Sequence, residues 1–344
     1  MPMQRLETLD AMRGVAAIGV VAYHAGSMLS TPSMLTVHGN IAVDFFFALS
    51  GFVLAMAFER RLAYNTVSAK SFVAGRIVRL WPMIIFGTGL SVILMTLSGD
   101  GFGALGDMPG LTIALAFFGA PGPDAGWINF AVNAVYWSLI GEFAVNLIYV
   151  CIFKIRTSLL IMVNVLMFAI LAYYVDKYNE IQILPEDPET LFVTSVRVFF
   201  SFFMGVITFR LREKFGMLRN VHPIIPIAIF VVPLIMPGSF WVVRVMLPLV
   251  YVSVGFPLVI WLAADAKIAF SGLFKFLGDA SYPLYAIHLP VLLICVPLFK
   301  EQHLLVRFAF CAVFPLAMAA IAFGIAHYYD VPFRKRLSRI LLRR

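Results

Sequence analysis

Apolar residues in this chain run in stretches of about 20, the length needed to cross a bilayer as a helix. Segments carrying charge, Pro or Gly separate them. The pattern predicts ten spans, at residues 11–31, 40–58, 81–98, 136–153, 157–175, 192–209, 223–236, 245–264, 281–299 and 305–328. The first follows a weakly basic leader, but Arg13 and His24 interrupt it and no small-residue cleavage site follows. It is therefore expected to be an uncleaved helix rather than a signal peptide. The expected fold is an all-α, polytopic integral membrane bundle of about ten transmembrane helices.

Composition agrees: 62% of the 344 residues are apolar and 13% charged, with a mean hydropathy of +0.94. Charge then sets the orientation. With the N-terminus inside, 21 of the 26 Lys and Arg fall on inner segments, among them Arg60, Arg61, Lys70, Arg76, Arg79 and the closing run "RKRLSRILLRR". Only Lys177, Arg197, Arg244, Lys300 and Arg307 do not. Both termini are thus expected in the cytoplasm, with the protein in the cytoplasmic (inner) membrane among its lipids. The net charge of +8 follows from this bias and implies no nucleic acid. The outer loop 99–135 is Gly/Pro-rich, holds Asp100, Asp107 and Asp124 without Lys or Arg, and has one apolar run (111–120) too short to cross, expected as a re-entrant or surface helix. Cys151, Cys295 and Cys311 lie in apolar stretches and suggest neither disulfides nor a metal site. Residues 1–344 read as one membrane domain, with no fused soluble domain, since the chain ends just after span 10.

Ionisable groups inside lipid cost several kcal/mol unless they face a bundle interior or a wet cavity. In "LDAMRGVAAIGVVAYHA", Arg13 and His24 are eleven residues apart, so at about 100° per residue they share one helix face, with His24 about 16 Å deeper and near the midplane. An interface anchor and a tied histidine would explain these two alone. Other spans, however, carry matching groups: Asn40 and Asp44; the stripe Ser138, Glu142, Asn146; Arg197; and Ser281, Tyr285, His288 at i, i+4, i+7. Asp44, Glu142 and Arg197 belong to the outer half, Arg13 and His288 toward the inner half, and His24 between. Pro283 is expected in a first helical turn, where it costs little. The two carboxylates and Arg197 can compensate one another's charge.

His24 is the one group near the midplane that exchanges protons near neutral pH, which suits a general base, with Asp44 or Glu142 orienting its ring. Arg76 and Arg79 would be one turn apart on a helix, spaced to grip phosphates, or are ordinary inner-side charge. No G-x-S-x-G, H-E-x-x-H, P-loop or dinucleotide glycine motif occurs. These features alone do not separate catalysis from transport, and a transporter or flippase of an anionic or glycan substrate stays as the alternative.

Six ordered motifs resemble the acyltransferase 3 family: R-x10-H (Arg13, His24), "DFFFALSGFVL" (Asp44 to Leu54), R-x-x-R (Arg76, Arg79), "WSLIGE" (Trp137 to Glu142), "RVFFSFFMG" from Arg197, and "SYPLYAIH" ending at His288. The resemblance implies an O-acyltransferase moving an acetyl or other acyl group from cytoplasmic acyl-CoA, acetyl-CoA first, to a hydroxyl of a surface or exported glycan or lipid-linked saccharide. It assigns His24 the central role with Arg13 essential, and puts Arg76 and Arg79 on the donor side. His24 then acts as general base or transient acyl acceptor. Asp44 or Glu142 supports it, Arg13 also meets the donor, and Trp137, Arg197, Ser281, Tyr285 and His288 are expected on the acceptor's route. Some relatives carry an esterase-like domain. None is expected in this chain, which leaves open whether this bundle completes the transfer or passes the acyl group on.

Overall fold

A computed structural model describes residues 6–31, 38–99, 109–118, 132–185, 187–216, 218, 221–236, 242–266 and 271–342. The acidic residues expected in the outer loop (Asp100, Asp107, Asp124) lie outside these, as do Arg5, Arg219, Lys267, Arg343 and Arg344 of the inner charge count. The described residues are helical throughout, joined by short turns. In chain order the helices are α1 (Glu7–Met28), α2 (Ala42–Ala63), α3 (Ala69–Ser98), α4 (Pro109–Phe117), α5 (Tyr136–Ile152), α6 (Thr157–Tyr178), α7 (Pro188–Phe215), α8 (Ile224–Ile235), α9 (Leu247–Val250), α10 (Phe256–Asp265), α11 (Ser271–Phe299), α12 (Leu304–Ile325) and α13 (Val331–Leu341). π-helical turns at Val242–Met246 and Tyr251–Gly255 join α9 and α10 into one run, and another at Ala326–Asp330 joins α12 to α13.

Among the described residues, seven runs are long and apolar enough to cross a membrane, and α5 and α8 are shorter apolar helices. With α1, whose apolar run Arg13 and His24 interrupt, they correspond one to one to the ten predicted stretches. The chain is a polytopic membrane bundle. Residues 111–117 of the run predicted at 111–120 lie in the nine-residue α4, too short to span. It packs beside α3, where Thr88 Oγ1 donates to the Ala116 carbonyl at 3.2 Å.

Three helices extend well past their apolar cores. α3 starts at Ala69, capped by Ser68, whose Oγ accepts the Ser71 N–H at 3.1 Å. Arg76 and Arg79 therefore lie on a helix. α11 starts ten residues earlier than expected, which corrects the reading of Pro283: it is interior, not in a first turn. Interior proline leaves a carbonyl one turn back without its N–H. For Pro290 that carbonyl is Ala286, and Asn133 Nδ2 donates to it at 2.9 Å. The α12–α13 run covers 38 residues, about 57 Å at 1.5 Å each, so α13 continues beyond a hydrocarbon core of roughly 30 Å.

Among the described residues the two most extensive helix pairings are both parallel. On α2 and α7, a Cβ at Gly205 would fall 1.8 Å from the Ala48 carbonyl oxygen. Only glycine permits that backbone contact, as at other small-residue helix interfaces in membranes. On α1 and α11, a Cβ at Gly14 would meet Leu277 at 2.4 Å. Alternating up-and-down topology requires the first and ninth, and the second and sixth, spans to run the same way, as these pairs do.

Candidate active site

The α1–α11 seam brings together four of the expected residues. Arg13 donates from Nε to Ser281 Oγ (2.8 Å) and from Nη2 to the Gly278 carbonyl (2.7 Å), and pairs with Asp10 at 3.2 Å. Further along the same face, His24 Nδ1 lies 2.9 Å from His288 Nε2. The rings are near-parallel, inclined by 11°. The shared face deduced for Arg13 and His24 is therefore real, and it is turned toward α11.

The hydrogen bonds fix the protons. His288 Nδ1 lies 2.8 Å from the Tyr285 carbonyl and 3.2 Å from that of Leu284. Carbonyls only accept, so His288 Nδ1 carries a proton, and neutral His288 can only accept at Nε2. His24 must then donate from Nδ1, which leaves the lone pair of neutral His24 on Nε2. His288 is fully buried while His24 is partly exposed. One ring is thus fixed within the protein and holds the other with its basic nitrogen unengaged by that bond.

This geometry corrects the expectation that Asp44 or Glu142 orients His24. Asp44 accepts from Arg197 Nε at 3.0 and 3.1 Å, Arg197 Nη2 at 2.6 Å and Ser201 Oγ at 2.9 Å, so both its oxygens are committed on α7. Glu142 Oε1 accepts from Ser50 Oγ at 2.7 Å and lies within electrostatic reach of Arg76. A second correction concerns depth. His24 and His288 are each seventeen residues beyond the first residue of their helices, Glu7 and Ser271, so His288 is level with His24 and not nearer the inner surface.

The residues expected to meet an acceptor are mostly enclosed. Arg197 is 1% exposed. Besides Asp44 it donates to the Ile181 carbonyl (3.0 Å) and the Asn40 carbonyl (3.3 Å), which engages all three nitrogens and makes it a tie rather than a ligand-binding group. Ser281 and Tyr285 are also buried. Ser281 receives Arg13 and donates to Gly278. Tyr285 shares a 2.6 Å hydrogen bond with Ser138, and its carbonyl is the one that fixes His288. These three position the site instead of lining a route through it. Trp137 is half-buried beside Ser138, with Arg197 5.9 Å from its ring centre.

On the side where α2 and α7 begin, residues 179–185 are tied down close to His24. Tyr23 Oη donates to Gln182 Oε1 at 2.8 Å, and Thr194 Oγ1 to the Ile183 carbonyl at 2.7 Å. Burial raises the Glu180 carboxyl in this loop, with Arg244 and Arg197 acting the other way.

At the opposite, basic end, α3 and α13 flank a shallow open cleft of about 590 Å³ lined by Arg76, Arg79, Arg334, Lys335 and Arg339. Arg79 stacks on Tyr282 at 5.7 Å, and Tyr282 is the neighbour of the Ser281 that holds Arg13. The α13 cations escaped notice as site residues because they read as ordinary inner-side charge. The available signal was their spacing: Arg334, Lys335 and Arg339 fall on one helix face. Among the described residues no group of three or more His, Cys, Asp or Glu is arranged to hold a metal ion.

No solved structure matches the chain. A protein described as "Protein 2 in picA locus", from Rhizobium radiobacter, is 34% identical over 160 residues, which cover 43% of this chain and 82% of that protein. A family model described as "Acyltransferase domain" matches residues 6–327, from the residue before α1 into the π turn ahead of α13. The matched span holds Arg13, His24, Arg76, Arg79, Glu142 and His288, and the chain belongs to the acyltransferase 3 family.

Proposed function

We propose that this protein is an O-acyltransferase of the cytoplasmic membrane. It takes an acetyl or other acyl group from acyl-CoA, acetyl-CoA first, and transfers it to a hydroxyl of a surface or exported glycan or lipid-linked saccharide. Family membership supplies acyl transfer. The observation that carries the residue assignment is the His24–His288 pair, because it leaves a lone pair on a partly exposed imidazole deep in the bundle.

In this reading His24 Nε2 takes the proton of the acceptor hydroxyl as its oxygen attacks the thioester carbonyl. The C–S bond breaks, and the departing thiolate receives that proton from the imidazolium, leaving ester and free CoA. His288 stays neutral throughout, and its Nε2 accepts the Nδ1–H of the His24 cation, stabilising the charge when it forms. If His24 instead attacks the thioester first, the same nitrogen forms the acyl-imidazole, so His288 prepares either route. Arg13, fixed by Ser281 and Gly278, sits between the basic cleft and His24, where the donor's arm has to pass. Arg76 and Arg79 face the donor's phosphates, with Glu142 balancing Arg76. Trp137 offers an aromatic face for a sugar ring on the acceptor side.

The test is release of CoA thiol from acetyl-CoA by detergent-purified protein supplied with candidate glycans. Replacing His24 by Ala is expected to lower the rate about 10²- to 10⁴-fold, the range for loss of a positioned general base. A folded His24→Ala protein with full transfer overturns the assignment. Uptake of glycan into vesicles without CoA consumption overturns the enzymatic reading in favour of transport.

A further inference from the structure

The basic cleft is built by two helices, and α13 begins after the family match ends at residue 327. Its five cations, Arg76 and Arg79 from α3 and Arg334, Lys335 and Arg339 from α13, have no carboxylate among the residues that line the cleft with them. Asp330 pairs with Arg334 from behind, at 2.7 Å. The Nε of Arg76 and the Nε of Arg334 are buried without a hydrogen-bond acceptor. Glu142 and Asp330 offset part of this charge, and the remaining cations with their unpaired buried donors favour a polyanion between them. The junction is held in place. Tyr329 Oη donates to the Pro82 carbonyl at 3.2 Å, and the Tyr329 ring packs on Phe86 with centres 4.9 Å apart.

We propose that α13 forms the subsite for the ribose 3′-phosphate of coenzyme A, so that Arg334, Lys335 and Arg339 make the protein select CoA over dephospho-CoA. The inference rests on acyl-CoA being the donor, as proposed above. The division of labour follows from chemistry. The diphosphate of CoA lies between the adenosine and the thioester arm, so it belongs beside Arg79, which is next along the contacts to Tyr282, Ser281 and Arg13. The 3′-phosphate is a monoester on the far side of the adenosine, carrying about −1.5 to −2 charges, and meets the three cations on the far wall. Lys335 and Arg339 are exposed and so available to a ligand.

Binding separates this inference from the proposed activity. Full-length protein in nanodiscs of neutral phosphatidylcholine is titrated calorimetrically with CoA and with dephospho-CoA. The wild-type protein is expected to bind CoA at least about tenfold more tightly, since one charge-assisted contact is worth about that factor. A K335Q/R339Q protein of unchanged melting temperature should bind dephospho-CoA as wild type does and lose most of the preference for CoA. Arg336→Gln, an exposed cation that does not line the cleft, should keep it. Equal wild-type affinities for the two ligands, or a preference that survives K335Q/R339Q, overturns the inference. So does a cleft that loses CoA when phosphatidylglycerol is added to the discs, because that makes it a lipid-headgroup site. His24→Ala should bind with the wild-type preference. A protein that discriminates in binding yet transfers nothing sinks the proposed activity alone, and one that uses both donors equally well sinks the subsite alone.

Discussion

The α1–α11 and α2–α7 seams are built alike and behave differently. Each is a pair of parallel helices brought into contact by glycine, and each holds ionisable side chains inside the bundle. Where Asp44 and Arg197 meet between α2 and α7, both groups are spent: Asp44 receives Arg197 and Ser201, and Arg197 also reaches two backbone carbonyls. Between α1 and α11 one nitrogen of His24 stays outside the His24–His288 bond. Residue type does not distinguish a structural tie from a reactive site here. Saturation of the hydrogen-bonding capacity does.

The largest effect is expected of Arg197→Leu. It strands the Asp44 carboxylate in the bundle, and removing one partner of a buried pair costs about 3–5 kcal/mol. The expected outcome is loss of folded, detergent-extractable protein. An Asp44→Leu/Arg197→Leu double variant should recover much of it, because no uncompensated charge remains. Arg197→Leu protein of normal yield and melting temperature would show that the pair is not a tie.

Next in size is the histidine pair. His288→Ala removes the acceptor that holds His24 with its Nε2 lone pair outward, and the rate of transfer should fall about 10²-fold or more while the protein still folds. His288→Gln places an amide oxygen near the lost Nε2 and should restore part of the rate. The pH profile sharpens the assignment: both variants should move the limb that reports His24 protonation, whereas a merely structural loss would lower the rate equally at every pH. Unchanged kinetics in His288→Ala would leave His24 working alone.

The helices and their shared faces were legible in the sequence because apolar length and 3.6-residue periodicity are local properties. Arg13 with His24, and Ser281 with Tyr285 and His288, fell on one face each as expected. What was not legible is which faces meet. The separation of 264 positions between His24 and His288 leaves no local trace of their pairing, and a carboxylate was the natural partner to expect for a catalytic imidazole. The electrostatic compensation of Asp44 by Arg197 was foreseeable from charge balance, but its completeness was not, since it depends on backbone carbonyls from a loop. The early starts of α3 and α11 were hidden for another reason. Outside the hydrocarbon a helix needs no apolar run, so Lys275, Asp279, Arg76 and Arg79 read as loop although they continue helices.

The smallest predicted effect lies at the far end of the saturated seam and tests whether that seam is separable from catalysis. Asp187 caps α7: its Oδ1 accepts the Thr190 N–H at 2.8 Å while Thr190 Oγ1 accepts the Asp187 N–H at 2.9 Å. The backbone N–H of Thr190 holds the Asp187 carboxyl below its ordinary range. A carboxyl lowered in the folded state stabilises the fold at pH values above its unfolded pKa of about 3.9, and that contribution fades as pH falls through the folded value. Asp187→Asn keeps an N-cap acceptor without a titrating group. Its melting temperature should lie close to wild type at neutral pH and decline less steeply in acid, while Asp187→Ala should melt somewhat lower at neutral pH. Transfer rates should be unchanged in both, because the cap touches neither His24 nor the basic cleft. A transfer rate that falls with Asp187→Ala in a normally folded protein would mean that the two seams are mechanically coupled through α7, and that saturation on one side is part of how the other is held open.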